Sequence, residues 1–375
     1  KTCAEWINGA AETTSKWSVQ KMGAEASLCT SDSAGCDDAI MRCNNNAAMA
    51  FEATSASMCS TAPVRHHQVG IDVADMYDIG PQVGAGSFAS VFRCTSKHTG
   101  GMRACKSTAK GKDGRPARGA HSEVAILKLL QRGGSGYGRT VRLFEVFEDE
   151  RAVHLILEFC GGGELHSRRK QVGSFTETQC KNLMQQMLIT VAHIHMHRVA
   201  HRDLKLENWL LVTEASDMEL RLCDFGLGIV LRRGEFATER VGSIHYVAPE
   251  VLRAEYDMRA DIWSLGVILY MLVGGAAPFT GRKQEDVLFA VIRRELSFQS
   301  EAWAGVSSEC IGLVNELLTT EPLDRPTALI AMTHPWITGG PRRAVDTSDP
   351  PVPVHACSPA PKSLQQGNLA EINRR

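Results

Sequence analysis

The chain has 375 residues, enough for two lobes around a sizeable hydrophobic core. Its composition, with 43% hydrophobic and 22% charged residues, is that of a globular protein. The formal net charge of -1 argues against a protein that binds nucleic acid through bulk positive charge.

The first 72 residues are rich in Ala, Ser, Thr and Asn without sustained periodicity, which predicts a poorly ordered extension. The chain begins with Lys1 rather than Met and shows no secretory signal, and the sequence leaves open whether its ends are native. Its twelve cysteines form no CxxC pair, so we expect free thiols in a reducing compartment, cytoplasmic or nucleocytoplasmic. Cys29, Cys36 and Cys43 recur every seven residues, and a metal or redox role for them is the less favoured alternative.

A β-rich segment spans residues 73 to about 159. Alternating runs bounded by turn signals predict antiparallel strands at Tyr77–Val83, Ala89–Thr95 and Met102–Ser107. Apolar residues at helical spacing in HSEVAILKLLQR predict a helix, and TVRLFEVFED and AVHLILEFC predict two further strands. The segment therefore predicts a lobe of five antiparallel strands with one main helix.

Residues 160 to about 338 predict a second lobe that is mainly α-helical. The segment ETQCKNLMQQMLITVAHIHMHR predicts a long amphipathic helix. The longest apolar run, Trp263–Phe279, is shorter than the roughly 20 residues of a membrane span, so we expect a buried core helix and no transmembrane segment. Residues 339–375 are rich in Pro and Ser and predict a disordered tail. The predicted fold class is α+β with two lobes.

The glycine-rich stretch GAGSFASV, Gly84–Val91, lies between the first two predicted strands. A dinucleotide-binding fold would place a helix directly after the glycines and an acid about 20 residues further on. Here a strand follows, and Lys106 stands near the position of that acid. A β-hairpin over phosphate groups fits better, because glycines let the backbone approach a ligand closely.

Lys106 ends the third predicted strand, and Glu123 lies on the helix that follows. Taken alone, Lys106 is more simply interpreted as an exposed residue on a strand edge. A pair with Glu123 would instead fix its ammonium group where it can hold phosphate oxygens.

The segment HRDLKLEN, His201–Asn208, places charged and amide side chains in an apolar stretch, where isolated charges are costly. Asp203 can orient or deprotonate an attacking hydroxyl, and Lys205 can neutralise a phosphoryl group during transfer. Asn208, and Asp224 in the DFG segment, offer hard oxygen ligands for Mg²⁺. Each residue type is common in loops, but this order argues against coincidence.

These motifs resemble those of the eukaryotic protein kinase family, in order and at the family's spacing, over residues 77–338. Further matches are APE (Ala248–Glu250), DIWSLGV (Asp261–Val267), DRP (Asp324–Pro326) and HPWI (His334–Ile337). The resemblance implies a bilobal protein kinase fold that uses ATP and Mg²⁺. It implies catalytic roles for Asp203, Lys205, Lys106 and Glu123.

The resemblance also implies a set of residues around ATP, with Asn208 and Asp224 as the metal ligands. The set is Gly84, Ala85, Gly86, Ser87, Phe88, Val91, Ala104, Lys106, Leu157, Glu158, Cys160, Glu164, Glu207, Asn208, Leu210 and Asp224. Val91, Ala104 and Leu210 would sandwich the adenine, and the backbone of residues 158–160 would bind it, with Leu157 behind. The apolar members are also core residues, and the two interpretations do not conflict.

Three structural relationships are implied as well. Leu127, Leu143, His201 and Phe225 would form an apolar stack that joins the lobes. Glu250 would pair with Arg325, and Asp261 would anchor the loop that carries Asp203.

Within the family, LILEFCGGGEL, VGSIHYVAPEVL and LLTTEPLDRPT most resemble the calcium/calmodulin-regulated and calcium-dependent serine/threonine kinases. Lys205 favours serine/threonine specificity. Glu164 and Glu207 match acids that often receive an arginine upstream of the target hydroxyl, although each could be a solvated surface acid. No EF-hand loop occurs, so a calcium-sensing regulator would lie outside this chain.

Several positions depart from the family pattern. Ala89 replaces the third glycine, Leu206 a proline and Ser243 a threonine, which keeps the hydroxyl. The glycine-rich loop QRGGSGYGRTVRL could loosen the helix that carries Glu123 and lower basal activity. In the activation segment, Thr238 is a candidate phosphate acceptor, and the negative charge of Glu239 would substitute for a phosphate beside Arg202.

The predicted function is a serine/threonine kinase that acts on protein substrates and prefers basic residues upstream of the target. The alternative is a catalytically weak pseudokinase that acts as a scaffold and binds nucleotide or partners. The retention of Lys106, Asp203, Asn208 and Asp224 together argues against that alternative.

Overall fold

The structure is a computed structural model. It describes residues 67–86, 89–116, 119–132, 139–214 and 218–340. All of them belong to one compact unit. Predictions for the extension up to residue 66 (including Cys29, Cys36 and Cys43), for Ser87 and Phe88, for the loop at 133–138 and for the tail from residue 341 lie outside this part of the chain.

The first lobe contains a six-stranded sheet with strand order β1-β5-β6-β4-β3-β2. Its strands are β1 His67–Val69, β2 Tyr77–Ala85, β3 Ala89–Ser96, β4 Met102–Ala109, β5 Leu143–Glu148 and β6 Ala152–Glu158. The five predicted antiparallel strands are all present. The structure adds β1, which pairs in parallel with β5 and comes from the segment predicted to be poorly ordered. A three-residue strand carries no periodicity of its own, which is why the sequence did not reveal it.

Two helices belong to this lobe, α1 at Val73–Met76 and α2 at Ala120–Leu130. The second is the predicted main helix, and its buried face includes Glu123, Ile126 and Leu127. Its position beside the sheet directs an acidic side chain towards β4.

The register of the sheet gathers the predicted adenine-site residues on one face. Val91 lies opposite Lys106 in the β3–β4 pair, and Ala104 lies opposite Leu157 in the β4–β6 pair. Residues directly opposite each other, and residues two apart on one strand, share a face of an antiparallel sheet. Val91, Ala104, Lys106 and Leu157 therefore line the same face.

The second lobe is mainly helical. Its helices are α3 Leu165–Val172, α4 Glu177–Met196, α5 Pro249–Leu252, α6 Arg259–Gly274, α7 Gln284–Arg293, α8 Ser308–Leu317, α9 Ala328–Ala331 and α10 Pro335–Thr338. The long predicted helix, α4, begins with a capping box in which Thr176 and Gln179 bond each other reciprocally. The predicted core helix is α6, which is buried over most of its length and ends at Gly275 with φ +83°. Among the described residues, no helix is long and apolar enough to span a membrane.

Short strands and turns form the segments around the predicted catalytic loop. The strands are β7 Gly163–Glu164, β8 Val199–Ala200, β9 Trp209–Leu211, β10 Leu220–Leu222 and β11 Ile229–Val230, and the 3-10 turns are Leu206–Asn208, Glu301–Trp303 and Pro322–Asp324. Strand β9 lies between β10 and β7, and β8 pairs with β11. These pairings hold residues 201–208 close to the DFG segment at 224–226.

A single hydrophobic core cluster contains residues from both lobes. It includes Leu127, Leu143 and Phe225, each at most 1% exposed. The ring of the fully buried His201 lies 4.9 Å from that of Phe225 in an edge-to-face arrangement. The three apolar members of the predicted stack thus belong to one core, and the contact between His201 and Phe225 is present, whereas the full stack stays a prediction.

Candidate active site

Strand β4 and helix α2 bring Lys106 and Glu123 together, as predicted. Nζ of Lys106 lies 2.8 Å from both carboxylate oxygens of Glu123 and 2.8 Å from Oδ1 of Asp224. Burial would lower the pKa of Lys106, but the charges of Glu123 and Asp224 outweigh it and raise that pKa above its usual value. The ammonium group is therefore held in its charged form.

Asp224 occupies an unusual backbone conformation for a residue with a side chain, with φ at +62°. Strained backbone of this kind persists where the surrounding structure enforces it, often at functional sites. Burial would raise the pKa of Asp224, but the charge and hydrogen bond of Lys106 lower it overall. Its side chain remains 48% exposed and ionised.

The Asp203 carboxylate is oriented from two sides. Ser243 donates its hydroxyl hydrogen bond to Oδ1 at 2.7 Å, and Nζ of Lys205 donates to Oδ2 at 2.6 Å. Lys205 also donates to Oγ of Ser243 at 3.2 Å. The side-chain nitrogen of Asn208 donates to the carbonyl oxygen of Asp203 at 2.8 Å, so Asp203, Lys205 and Asn208 are interlinked.

Asp261 anchors the loop that carries Asp203, as predicted. Its Oδ2 accepts a hydrogen bond from the backbone N–H of His201 at 2.9 Å, and Oδ1 accepts one from the backbone N–H of Arg202 at 2.9 Å. The ring of His195 adds a contact of 2.9 Å that the sequence analysis did not identify. Burial would raise the pKa of Asp261, but these hydrogen bonds and the nearby histidines lower it overall.

The hinge, residues 158–160, whose backbone is predicted to bind adenine, joins the two lobes. Leu210 on β9 is partly buried against the core, and the backbone N–H of Cys160 makes no hydrogen bond to any described residue. Glu158 uses its side chain to accept hydrogen bonds from Nε of Arg221 at 3.1 and 3.2 Å. Arg221 lies on β10, and sequence reasoning missed this tie between the hinge and the second lobe.

Two oxygen donors are available for a divalent cation. The bond to Asp203 uses the side-chain nitrogen of Asn208 and leaves its side-chain oxygen available, and Asp224 remains half exposed. Within the described ranges, no group of three or more His, Cys, Asp or Glu side chains could hold a metal ion by itself. The pair fits Mg²⁺, which typically binds one or two protein oxygens together with phosphate oxygens.

Comparison with known proteins agrees with this geometry. The family described as "Protein kinase domain" matches residues 77–337, well over half of the chain. The chain belongs to the protein kinase family.

Two relatives of the chain are both named calcium-dependent protein kinases. Calcium-dependent protein kinase 7 of Oryza sativa subsp. japonica is 36% identical over 308 residues, which cover 80% of this chain and 55% of that protein. Calcium-dependent protein kinase 8 of Arabidopsis thaliana is 39% identical over 270 residues, 72% of this chain and 50% of that protein. The chain thus spans about half the length of the curated relatives it matches.

The activation segment contains the predicted contact between Arg202 and Glu239. Nη1 of Arg202 donates to Oε2 of Glu239 at 3.1 Å, and Nε donates to the carbonyl oxygen of Leu227 at 2.5 Å. The hydroxyl of Tyr256 donates to the carbonyl oxygen of Glu239 at 2.6 Å. The arginine next to Asp203 is thus paired with an acid of the activation segment without any added phosphate.

The predicted buried pair of Glu250 and Arg325 is also present. The two side chains form a bidentate pair with distances of 2.7 and 3.1 Å, and both are almost completely buried. The pair joins α5, which ends the activation segment, to the 3-10 turn at Pro322–Asp324.

The two acids predicted to receive a substrate arginine lie on neighbouring elements. Glu164 is exposed at the start of α3, and Glu207 belongs to the 3-10 turn. Oε1 of Glu207 lies 3.5 Å from Nδ1 of His166, whereas Oε2 is buried and has no hydrogen-bond partner within the described part of the chain. Neither acid belongs to the sheet face formed by Val91 and Ala104.

Proposed function

We propose that this protein is an active serine/threonine kinase that transfers the γ-phosphate of Mg·ATP to hydroxyl groups of protein substrates. The observation that carries the proposal is the charged network around Lys106, Glu123 and Asp224, close to the interlinked Asp203, Lys205 and Asn208. Nucleotide with Mg²⁺, when bound, supplies the phosphoryl group and spreads its negative charge over the metal.

Each side chain has a role that follows from its position. Lys106, kept charged by two carboxylates, would hold phosphate oxygens, and Asn208 with Asp224 would hold the metal. Asp203 would orient the substrate hydroxyl and accept its proton at the carboxylate oxygens, which Ser243 and Lys205 fix in place. Lys205 can then neutralise charge on the group in transfer.

The nucleotide contacts of the proposal involve both lobes. The turn from Gly84 to Gly86 and the residues Val91, Ala104, Leu157 and Leu210 would enclose the nucleotide. The N–H of Cys160, which bonds to none of the described residues, would bind adenine. The side chain of Glu158 is occupied by Arg221, so only its backbone would contribute. The pseudokinase alternative has less support, because no charged member of the network is missing or misdirected.

The substrate preference and regulation are finer parts of the same proposal. The exposed Glu164, and the Glu207 oxygen that has no hydrogen-bond partner among the described residues, support a preference for arginine upstream of the target hydroxyl. The relatives are named calcium-dependent, and we include control by a calcium-sensing partner in the proposal. We also propose a cytoplasmic or nucleocytoplasmic location, which the six free cysteines of the described residues support.

A phosphate-transfer assay tests the proposal. Asp203→Asn should lower incorporation into a basic peptide by roughly 100-fold or more, because it removes the acceptor for the hydroxyl proton. The control Asp78→Asn changes an exposed aspartate on β2 and should leave activity unchanged. Equal incorporation by wild type and Asp203→Asn, or no stabilisation of the wild type by millimolar Mg·ATP in thermal unfolding, would contradict it.

A further inference from the structure

Glu123 lies in the weakest part of its helix. Helix α2 begins at Ala120 without a side-chain cap, so Glu123 is in the first turn. The first turns of helices leave N–H groups without intrahelical partners and fray most readily. The carbonyl oxygen of Gly119 is the acceptor that ties down this turn, since it accepts the first hydrogen bond of the helix from the backbone N–H of Glu123 at 2.8 Å and a second one from Oγ of Ser122 at 2.9 Å.

Gly119 in turn packs against the glycine of the DFG segment. A Cβ atom at Gly119 would overlap the carbonyl oxygen of Gly226 and would lie 3.0 Å from its carbonyl carbon and 3.2 Å from its Cα. Gly119 also has φ +98°, which side chains disfavour. Both the close approach and the backbone conformation therefore require glycine.

The contact closes a ring of interactions. One side of the ring runs from Glu123 through Lys106 to Asp224 by ion pairs of 2.8 Å. The other side runs from Glu123 through Gly119 to Gly226, two residues after Asp224, by backbone contacts alone. The start of α2 and the metal-binding segment are thus held at a fixed separation.

We propose that Gly119 is a positioning residue for phosphoryl transfer. Its contact with Gly226 sets the position of the first turn of α2, and thereby the position of Glu123 relative to Lys106 and Asp224. The proposal rests on the kinase activity proposed above. It concerns a position outside the sequence motifs, in the loop between β4 and α2.

Substitutions at two glycines of the same loop distinguish the effect of the close contact from the effect of backbone strain. Gly114 has φ +72°, but a Cβ there would meet no atom within 4 Å. Gly114→Ala therefore adds a strained alanine without a collision, whereas Gly119→Ala adds both. We expect Gly119→Ala to lower kcat roughly 10- to 100-fold at a temperature where both variants are folded, and Gly114→Ala to stay within about twofold of wild type.

Two further variants test how Gly119 acts. Gly119→Asn eases the positive φ but keeps the Cβ atom, and it should be as impaired as Gly119→Ala. Adding Gly119→Ala to Glu123→Gln should cost little more activity than Glu123→Gln alone, because Gly119 is proposed to act through the pairing of Glu123 with Lys106, which Glu123→Gln already weakens. Multiplied losses in the double variant, or equal kcat for Gly119→Ala and Gly114→Ala, would overturn the proposal.

Amide hydrogen exchange gives a readout independent of catalysis. Gly119→Ala should speed exchange at residues 122–124 roughly tenfold relative to both wild type and Gly114→Ala. An inactive wild type that shows this difference would overturn the kinase assignment while supporting the contact. Unchanged exchange in Gly119→Ala would overturn the positioning role even in an active enzyme.

Discussion

Ser243 donates a hydrogen bond to Oδ1 of Asp203 across 2.7 Å, although the two residues are 40 positions apart in the chain. The activation segment thereby contacts the carboxylate that would accept the substrate proton. Lys205 holds the other carboxylate oxygen at 2.6 Å, so the side chain has little freedom to rotate.

Removal of this hydroxyl should impair catalysis more than binding. We expect Ser243→Ala to lower kcat about tenfold, because Asp203 loses one of its two orienting contacts, with little change in the KM for ATP. Ser243→Thr keeps the hydroxyl and should retain most of the activity. Steady-state kinetics on a peptide substrate decide the matter, and equal kcat for the alanine and threonine variants would contradict the role of the hydroxyl.

Glu239 should support activity without phosphorylation of the activation segment. In Glu239→Gln the nearly buried Arg202 loses a charged partner, and we expect kcat to fall several-fold, equivalent to about 1 kcal/mol because Glu239 is partly exposed. Thr238→Ala removes the neighbouring phosphate acceptor and should have little effect. The comparison uses protein whose phosphorylation state is checked by mass spectrometry. A reversed order, with Thr238→Ala the more impaired, would show that phosphorylation rather than Glu239 is required.

Replacing only one partner of the buried pair of Glu250 and Arg325 should strongly destabilise the folded protein. Glu250→Gln leaves a buried guanidinium without its charge partner, and we expect the free energy of unfolding to fall by about 3 kcal/mol. The double variant Glu250→Leu/Arg325→Met removes both charges and should be less destabilised than the sum of its single variants. Urea unfolding of wild type, Glu250→Leu, Arg325→Met and the double variant measures the coupling. Additive effects would indicate that the two residues contribute independently.

Because of the carboxylate of Asp261, the free energy of unfolding should decrease at acidic pH. Because its pKa is lowered in the folded state, it stabilises the protein above the pKa that it has in the unfolded chain, about 3.9, and this contribution is lost as pH falls through the lower folded value. Asp261→Asn should therefore reduce the free energy of unfolding by a similar amount from pH 7 to about pH 5. The difference from wild type should shrink below about pH 4. Urea unfolding across this range, with Asp78→Asn as control, would reject the idea if the difference stayed constant at the lowest pH.

The contacts that the sequence predicted correctly are those between motif residues, in which both the residue type and its place along the chain indicate the partner. Lys106 with Glu123, and Asp261 with the loop at 201–202, belong to motifs whose residue types are meaningful only if they meet. Element boundaries also agreed closely, since alternation and helical spacing are local properties. Helix α2 begins one residue before the predicted segment HSEVAILKLLQR, for example.

The contacts that the sequence did not predict depend on partners distant in the chain. Arg221 and Glu158 are 63 positions apart, and nothing in either local segment indicates a pair. The close approach of Gly119 and Gly226 is a backbone contact, which residue types reveal only as the presence of two glycines. Such relationships are set by the tertiary arrangement of the elements rather than by their own patterns.

Strand β1 has a consequence for any shortened form of the protein. The family match begins at Tyr77, after the strand that occupies the outer side of β5. A chain that started there would leave the outer backbone groups of Val146 and Glu148 without their partners and convert β5 into an open edge. Open edges recruit strands from other molecules. We therefore expect solubility and self-association of a shortened chain to depend on whether it keeps the three residues of β1, which a boundary drawn from the family alone would discard.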